Sequence, residues 1–154
     1  MAAFFRPLDE ADLQSLCSIE QRCFPTPWSR HQLFESLQHH QGLGIQMAPE
    51  HPLLGYAFFI TILEEAHLLN LAIDVPWQQQ GWGQALLQAV IFHAQQQGAS
   101  SLLLEVRAHH RAALSLYHGA GFERIGIRKG YYATAEGTRE DAWVLRRSLL
   151  ENPS

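Results

Sequence analysis

The chain has 154 residues, the size of one ordinary domain with a single substantial core. Hydrophobic residues make up 47% and charged residues 17%, a balance that excludes a disordered chain. With 11 basic against 15 acidic residues there is no basic stripe of the kind nucleic-acid binding requires, and the mildly acidic surface suits a cationic partner.

Ala3 to Arg6 reads as a short first strand. Asp9 caps a helix on which Leu13, Leu16, Cys17 and Ile19 fall near helical spacing, and Pro25 and Pro27 end it. Ser29 caps a second helix carrying Leu33, Phe34 and Leu37, and Gly42 and Gly44 then punctuate the chain. Leu43 to Met47, Leu53 to Leu63 and His67 to Ile73 read as three strands joined by the turns APEHP and EE. Connections that short imply antiparallel neighbours. Gly81 to Gln97 reads as a helix with Ala85, Leu86, Ala89, Val90 and Phe92 to Ala94 on its buried face, stopped by Gly98. Strand Ser101 to Val106, helix Arg111 to Gly119, strand Phe122 to Lys129 and strand Ala142 to Ser148 complete the series.

The stretch from His67 to Val106 is a βαβ unit, so its two strands should pair in parallel while the others pair antiparallel. The expected class is α/β: one domain over residues 1–154 around a mixed central sheet. Cys17 and Cys23 have no C-x-x-C spacing, which argues against a disulfide framework or a structural zinc and for a reducing compartment. MAAFFRPLDEADL lacks the basic start and long apolar run of a secretion signal, and no apolar run approaches the ~18 residues that span a bilayer. A cytoplasmic protein without membrane attachment is expected.

DVPWQQQGWGQALL, from Asp74 to Leu87, sets Gly81 and Gly83 where a helix begins. The first N–H groups of a helix lack intrahelical partners and carry partial positive charge, and glycine lets a ligand approach them, so the geometry favours a phosphate. A dinucleotide fingerprint wants a third glycine where the chain has Leu86, and a P-loop wants a lysine that is missing. Gln78-x-x-Gly81-x-Gly83 remains, and it equally serves a tight strand-to-helix turn.

The strand LLLEVR puts Leu102, Leu104 and Val106 on one face and Leu103, Glu105 and Arg107 on the other. Glu105 reads either as a solvent-side acid paired with Arg107 or as a general base in a partly dry cleft. Tyr117 shares a helix face with Leu114 and reads either as a core aromatic or as a hydroxyl donor.

Taken together, residues 69–132 resemble the core of a GNAT acetyltransferase and are similar, more narrowly, to the RimI family of ribosomal-protein-alanine N-acetyltransferases. The residues that carry the likeness are Gln78-x-x-Gly81-x-Gly83, LEVR at Leu104 to Arg107, Leu116-Tyr117 before Gly121-Phe122, Arg128 to Tyr132 followed by Glu140-Asp141-Ala142, and FPTPWS at Phe24 to Ser29. The resemblance implies two parallel strands splayed apart to bind acetyl-CoA, with the backbone of Leu71, Ala72 and Ile73 beside pantetheine. It implies that Gln79, Gln80, Gly81, Trp82, Gly83 and Gln84 cradle the pyrophosphate with main-chain N–H groups while the glutamine side chains stay solvated. Glu105 would be the base, acting through water, and Tyr117 the acid. The family carries an asparagine on the cofactor where this chain has His110, and basic residues where it has Gln79-Gln80.

An α-amine of reference pKa ~7.8 is neutral in about 15% of molecules at pH 7, a lysine amine in about 0.04%, so a carboxylate acting through water suits an N-terminal amine better. Full proton transfer from a phenol to a thiolate is uphill by roughly 2 kcal/mol, so a hydrogen bond to the leaving sulfur is the larger part of what Tyr117 offers. Trp28, Tyr131, Tyr132, Glu140 and Asp141 are the candidates for the acceptor groove, whose acidic walls would suit a basic ribosomal protein beginning with alanine. The nine histidines include no H-E-x-x-H spacing, so no metal is expected. A monomer or weak dimer is expected.

Overall fold

The computed structural model describes residues 3–150. The strands are β1 (Phe4–Pro7), β2 (Gln41–Gln46), β3 (Gly55–Ile62), β4 (Glu65–Ile73), β5 (Ser101–Arg107), β6 (Glu123–Ala133) and β7 (Arg139–Ser148). The helices are α1 (Leu13–Cys23), α2 (Arg30–His39), α3 (Trp82–Gln96) and α4 (Arg111–Gly119), with short 3-10 turns at Glu10–Asp12 and Val75–Trp77. All seven strands belong to one sheet, in the order β1-β2-β3-β4-β5-β7-β6. The β4–β5 pair is parallel, as the βαβ connection requires, and β1–β2, β2–β3, β5–β7 and β6–β7 are antiparallel. The β4–β5 ladder runs from Glu65↔Ser101 to Leu68↔Leu104, and the last three residues of β5, Glu105 to Arg107, continue on β7 opposite Val144, Trp143 and Ala142.

The chain clusters into two compact units, Met1–Ile60 with Asn70–Val90, and Thr61–Leu69 with Ile91–Ser154. In the first unit, Leu16, Ile19, Leu33, Ile45, Leu54, Tyr56 and Phe58 are buried. Asp9 and Asp12 form a capping box at the entry to α1, and Ser29 and Gln32 form another at α2. β2 begins earlier than expected and takes in Gly42 as well as Gly44, and Leu8 and Leu53 pack where their side chains would stand. On α2 the buried positions are Leu33 and Ser36, while Phe34 faces solvent. At Gly55 a side chain would run into the Ala72 carbonyl oxygen.

In the second unit, β5 alternates as expected, with Leu102, Leu104 and Val106 buried. On α3, which begins in the first unit and ends in the second, Leu86, Val90 and Ala94 are buried as expected, joined by Leu87 and Ile91, whereas Phe92 and His93, expected on the same face, are exposed. β6 and β7 extend further toward their connecting turn than the hydrophobic pattern indicates. β6 closes one end of the sheet and is exposed along most of its length, so its sequence carries little alternation.

Candidate active site

The glycine turn lies wholly in the first unit. β4 ends at Ile73, and the Asp74 carboxylate caps the 3-10 turn by accepting from the Val75 amide at 2.9 Å. Gln79 has φ +60° and Gly81 φ +90°, two left-handed residues ahead of α3, and such alternation turns successive N–H groups into an anion-binding concavity. The Ala85 amide bonds to the Gly81 carbonyl at 3.1 Å, so the amides of Trp82, Gly83 and Gln84 fall in the first turn, where N–H groups lack intrahelical acceptors. The buried indole Nε1 of Trp82 likewise has no hydrogen-bond partner. Unsatisfied donors at a helix start fit a polyanionic phosphate linkage.

Gln78, Gln79 and Gln80 are exposed, and two of their side chains also hold the loop's backbone. Gln78 Nε2 donates to the Ile73 carbonyl at 2.9 Å and Gln80 Nε2 to the Pro76 carbonyl at 3.1 Å, so these amides brace the loop. The Cys23 thiol also donates to the Ile73 carbonyl, at 3.1 Å, and burial pushes that thiol up to about 11. Arg22 grips Asp74 with Nε 2.8 Å from Oδ1 and Nη2 2.9 Å from Oδ2, which holds the carboxyl below its ordinary value.

Trp28 stacks on Phe58 at 6.4 Å between ring centroids, and its amide donates to Glu20 Oε2 at 2.8 Å. Glu20, only 2% exposed, also accepts from Asn70 Nδ2 at 2.8 Å and from the Tyr56 hydroxyl. A buried carboxylate thus joins α1, the α1–α2 segment, β3 and β4 through three donors. Sequence reading did not single out Glu20. The signal was present: Leu16, Ile19, Glu20 and Cys23 follow i, i+3, i+4, i+7 and put an acid in the phase of the apolar stripe.

The second unit holds the two catalytic candidates. Glu105 is half-buried in β5, and Arg128 Nε lies 3.1 Å from its Oε1. The same carboxylate raises the pKa of the Tyr131 phenol, through hydrogen bonding first and its charge second. Tyr132, with burial the main cause and the Glu105 charge second, is pushed up to about 12. Tyr117 is buried with its ring edge-on to Phe122 at 5.6 Å, and burial carries its hydroxyl well above the ordinary phenol value, with Tyr132 adding to the shift. The site therefore brings Glu105, Arg128, Tyr131 and Tyr132 into one cluster.

Glu140 and Asp141 serve internal partners. Burial pushes the Glu140 carboxyl up, but the His109 amide at 2.9 Å and Arg107 Nη1 at 3.3 Å outweigh it and leave it below its ordinary value. Asp141 Oδ1 accepts from the Gly130 amide at 2.9 Å. Arg107 lies over the Tyr132 ring, 4.4 Å from its centroid. His110 occupies the N-cap of α4 without a side-chain cap bond, and burial, then Arg107, lowers its pKa, so the imidazole is neutral at pH 7. Among the described residues no group of three or more His, Cys, Asp or Glu could hold a metal, and no helix is long and apolar enough to cross a membrane.

The model of the acetyltransferase (GNAT) family matches residues 13–122. The [ribosomal protein bS18]-alanine N-acetyltransferase of Escherichia coli (strain K12) is 39% identical over 138 residues, 90% of this chain and 92% of that protein. The protein of the same name from Haemophilus ducreyi (strain 35000HP / ATCC 700724) is 38% identical over 136 residues, 88% and 93% of the two chains. Among solved structures, the ribosomal-protein-S18-alanine N-acetyltransferase from Escherichia coli superposes with a TM-score of 0.88 at 32% identity, over 99% of this chain and 97% of that one. Arabidopsis thaliana NAA60 in complex with acetyl-CoA shares the fold at a TM-score of 0.83 and 18% identity, over 96% and 98%.

Proposed function

The chain belongs to the GNAT acetyltransferase family and is an acetyl-CoA-dependent N-acetyltransferase, and from that premise we propose that its acceptor is the N-terminal alanine amine of a small-subunit ribosomal protein. The observation that carries the acceptor is likeness over nine-tenths of the chain to proteins named for that substrate. The whole of residues 1–154 is read as one acetyltransferase domain acting in the cytoplasm.

In this reading the backbone of Leu71, Ala72 and Ile73 meets the pantetheine arm, and the amides from Gln79 to Gln84 hold the pyrophosphate. His110 contacts the cosubstrate as a neutral donor or acceptor. Glu105, through water, takes the proton that the acceptor's α-ammonium must lose before its nitrogen attacks the thioester carbonyl. The carbon–sulfur bond then breaks, the electron pair leaves on sulfur, and the second proton that the nitrogen sheds in becoming an amide neutralises the thiolate. Tyr117 donates a hydrogen bond to the departing thiolate; its raised pKa makes complete proton transfer costlier still. Trp28, Tyr131 and Tyr132 shape the acceptor groove, with Asp141 and Glu140 supporting it.

The test is a panel of acceptors assayed for thiol release from acetyl-CoA: an Ala-Arg N-terminal peptide, peptides with other first residues, lysine peptides with blocked termini, and polyamines. Preference for the Ala-Arg peptide is expected. Faster turnover of a lysine peptide or a polyamine would overturn the acceptor assignment.

A further inference from the structure

The β6–β7 hairpin is irregular where it passes Glu105. Arg128 pairs with Ala142 and the next aligned pair is Tyr132 with Glu140, four steps along β6 against two along β7. The extra residues are fastened in place. The Gly130 amide, at φ +59°, donates to Asp141 Oδ1 at 2.9 Å, its carbonyl accepts from Arg139 Nε at 2.5 Å, and the Tyr131 carbonyl accepts from Arg139 Nη2 at 3.3 Å. Regular alternation would send residues 128 and 131 to opposite faces of the strand. The bulge brings both toward one carboxylate: Arg128 Nε stands 3.1 Å from Glu105 Oε1, and the same carboxylate raises the pKa of the Tyr131 phenol. The Arg128 guanidinium carbon also lies 5.4 Å from the centre of the Tyr131 ring.

The carboxylate assigned to the acceptor amine is therefore engaged by a cation of the protein's own. The Arg128 side chain is 57% exposed against 27% for Glu105, so the guanidinium can leave for water while the acid cannot. We propose that Arg128 determines acceptor affinity as an internal counter-ion of Glu105, whose place the α-ammonium of the incoming N-terminus takes. This rests on the proposed role of Glu105 as the group that meets that amine. Arg128 keeps the carboxylate aimed between turnovers, and it weakens binding of every cationic acceptor by the strength of the pair it must surrender. An exposed ion pair sets that factor at about two- to fivefold.

The experiment measures kcat/KM for an Ala-Arg peptide and, by calorimetry, the Kd of that peptide and of its analogue lacking the α-amine, with the full chain and its Arg128→Met and Arg128→Lys variants. Arg128→Met should raise kcat/KM and tighten the amine peptide about two- to fivefold, while the deaminated analogue binds all three proteins alike. Arg128→Lys, which keeps a cation, should gain less. Equal tightening of both peptides would make Arg128 a steric obstacle, and unchanged or weaker binding of the amine peptide would make it an ordinary surface residue or a substrate contact; each overturns the inference. A wild-type protein that neither binds nor acetylates the amine peptide removes the proposed acceptor itself, and the inference with it.

Discussion

Arg22 and Asp74 meet in a two-point ion pair that ties the last turn of α1 to the residue between β4 and the glycine turn. Asp74 holds Val75 as well, so one carboxylate fixes both the helix end and the loop. Removing its charge in Asp74→Asn should cost about 1 kcal/mol, since Arg22 is half-exposed, and lower Tm by about 2–4 °C. The sign of the pH effect follows from the lowered carboxyl: the pair stabilises in full above the unfolded value near ~4 and is lost as pH falls through the folded value. Thermal melts should therefore show the wild-type advantage at pH 7 shrinking below about pH 4; an advantage constant down to pH 2 would refute the pairing.

Glu105→Gln should lower kcat/KM for the peptide acceptor by about 10²-fold or more, the usual range for a lost general base. Affinity for acetyl-CoA, read by calorimetry, should hold. A loss below threefold would take Glu105 out of proton transfer.

Tyr117→Phe keeps the ring against Phe122 and removes only the oxygen. Turnover should fall at least tenfold with little change in KM for acetyl-CoA, because the hydrogen bond is needed only as sulfur gains charge. Unchanged kcat would leave Tyr117 as a packing residue.

Glu20→Ala strands the Trp28 amide, the Asn70 amide group and the Tyr56 hydroxyl without their shared acceptor. The cost expected is about 3 kcal/mol, a fall in Tm of roughly 6–12 °C. Tyr56→Phe removes one donor and leaves two, so it should cost less than the alanine variant. Equal melting temperatures for wild type and Glu20→Ala would refute the network.

Gly81→Ala meets no atom within 4 Å, so its penalty is the left-handed backbone alone, about 1 kcal/mol. The KM for acetyl-CoA should rise severalfold while the peptide KM holds. The reverse pattern would place the phosphates elsewhere.

Local signals were legible where one residue type answers one local demand. Asp9, Ser29 and Gly98 mark helix ends through caps and a positive φ, and LLLEVR declares its two faces through alternation alone. Long-range pairings were not. Arg107 is the nearest base to Glu105 in sequence, yet Arg107 serves Glu140 while Arg128 reaches Glu105 across a bulge that no periodicity announces. Gln78 stood out as a motif position, but that its amide braces the Ile73 carbonyl depends on the fold of the turn. Gly42 and Gly44 resemble loop punctuation because crowding by Leu8 and Leu53 is invisible one strand at a time.

The carbonyl facing Gly55 leaves space for a hydrogen atom and nothing larger. In a saturation library, codon 55 would tolerate no replacement although it supplies no reacting group. A fitness map scored on growth would mark this position as boldly as Glu105, and only separate readouts of folding and turnover would tell architecture from chemistry.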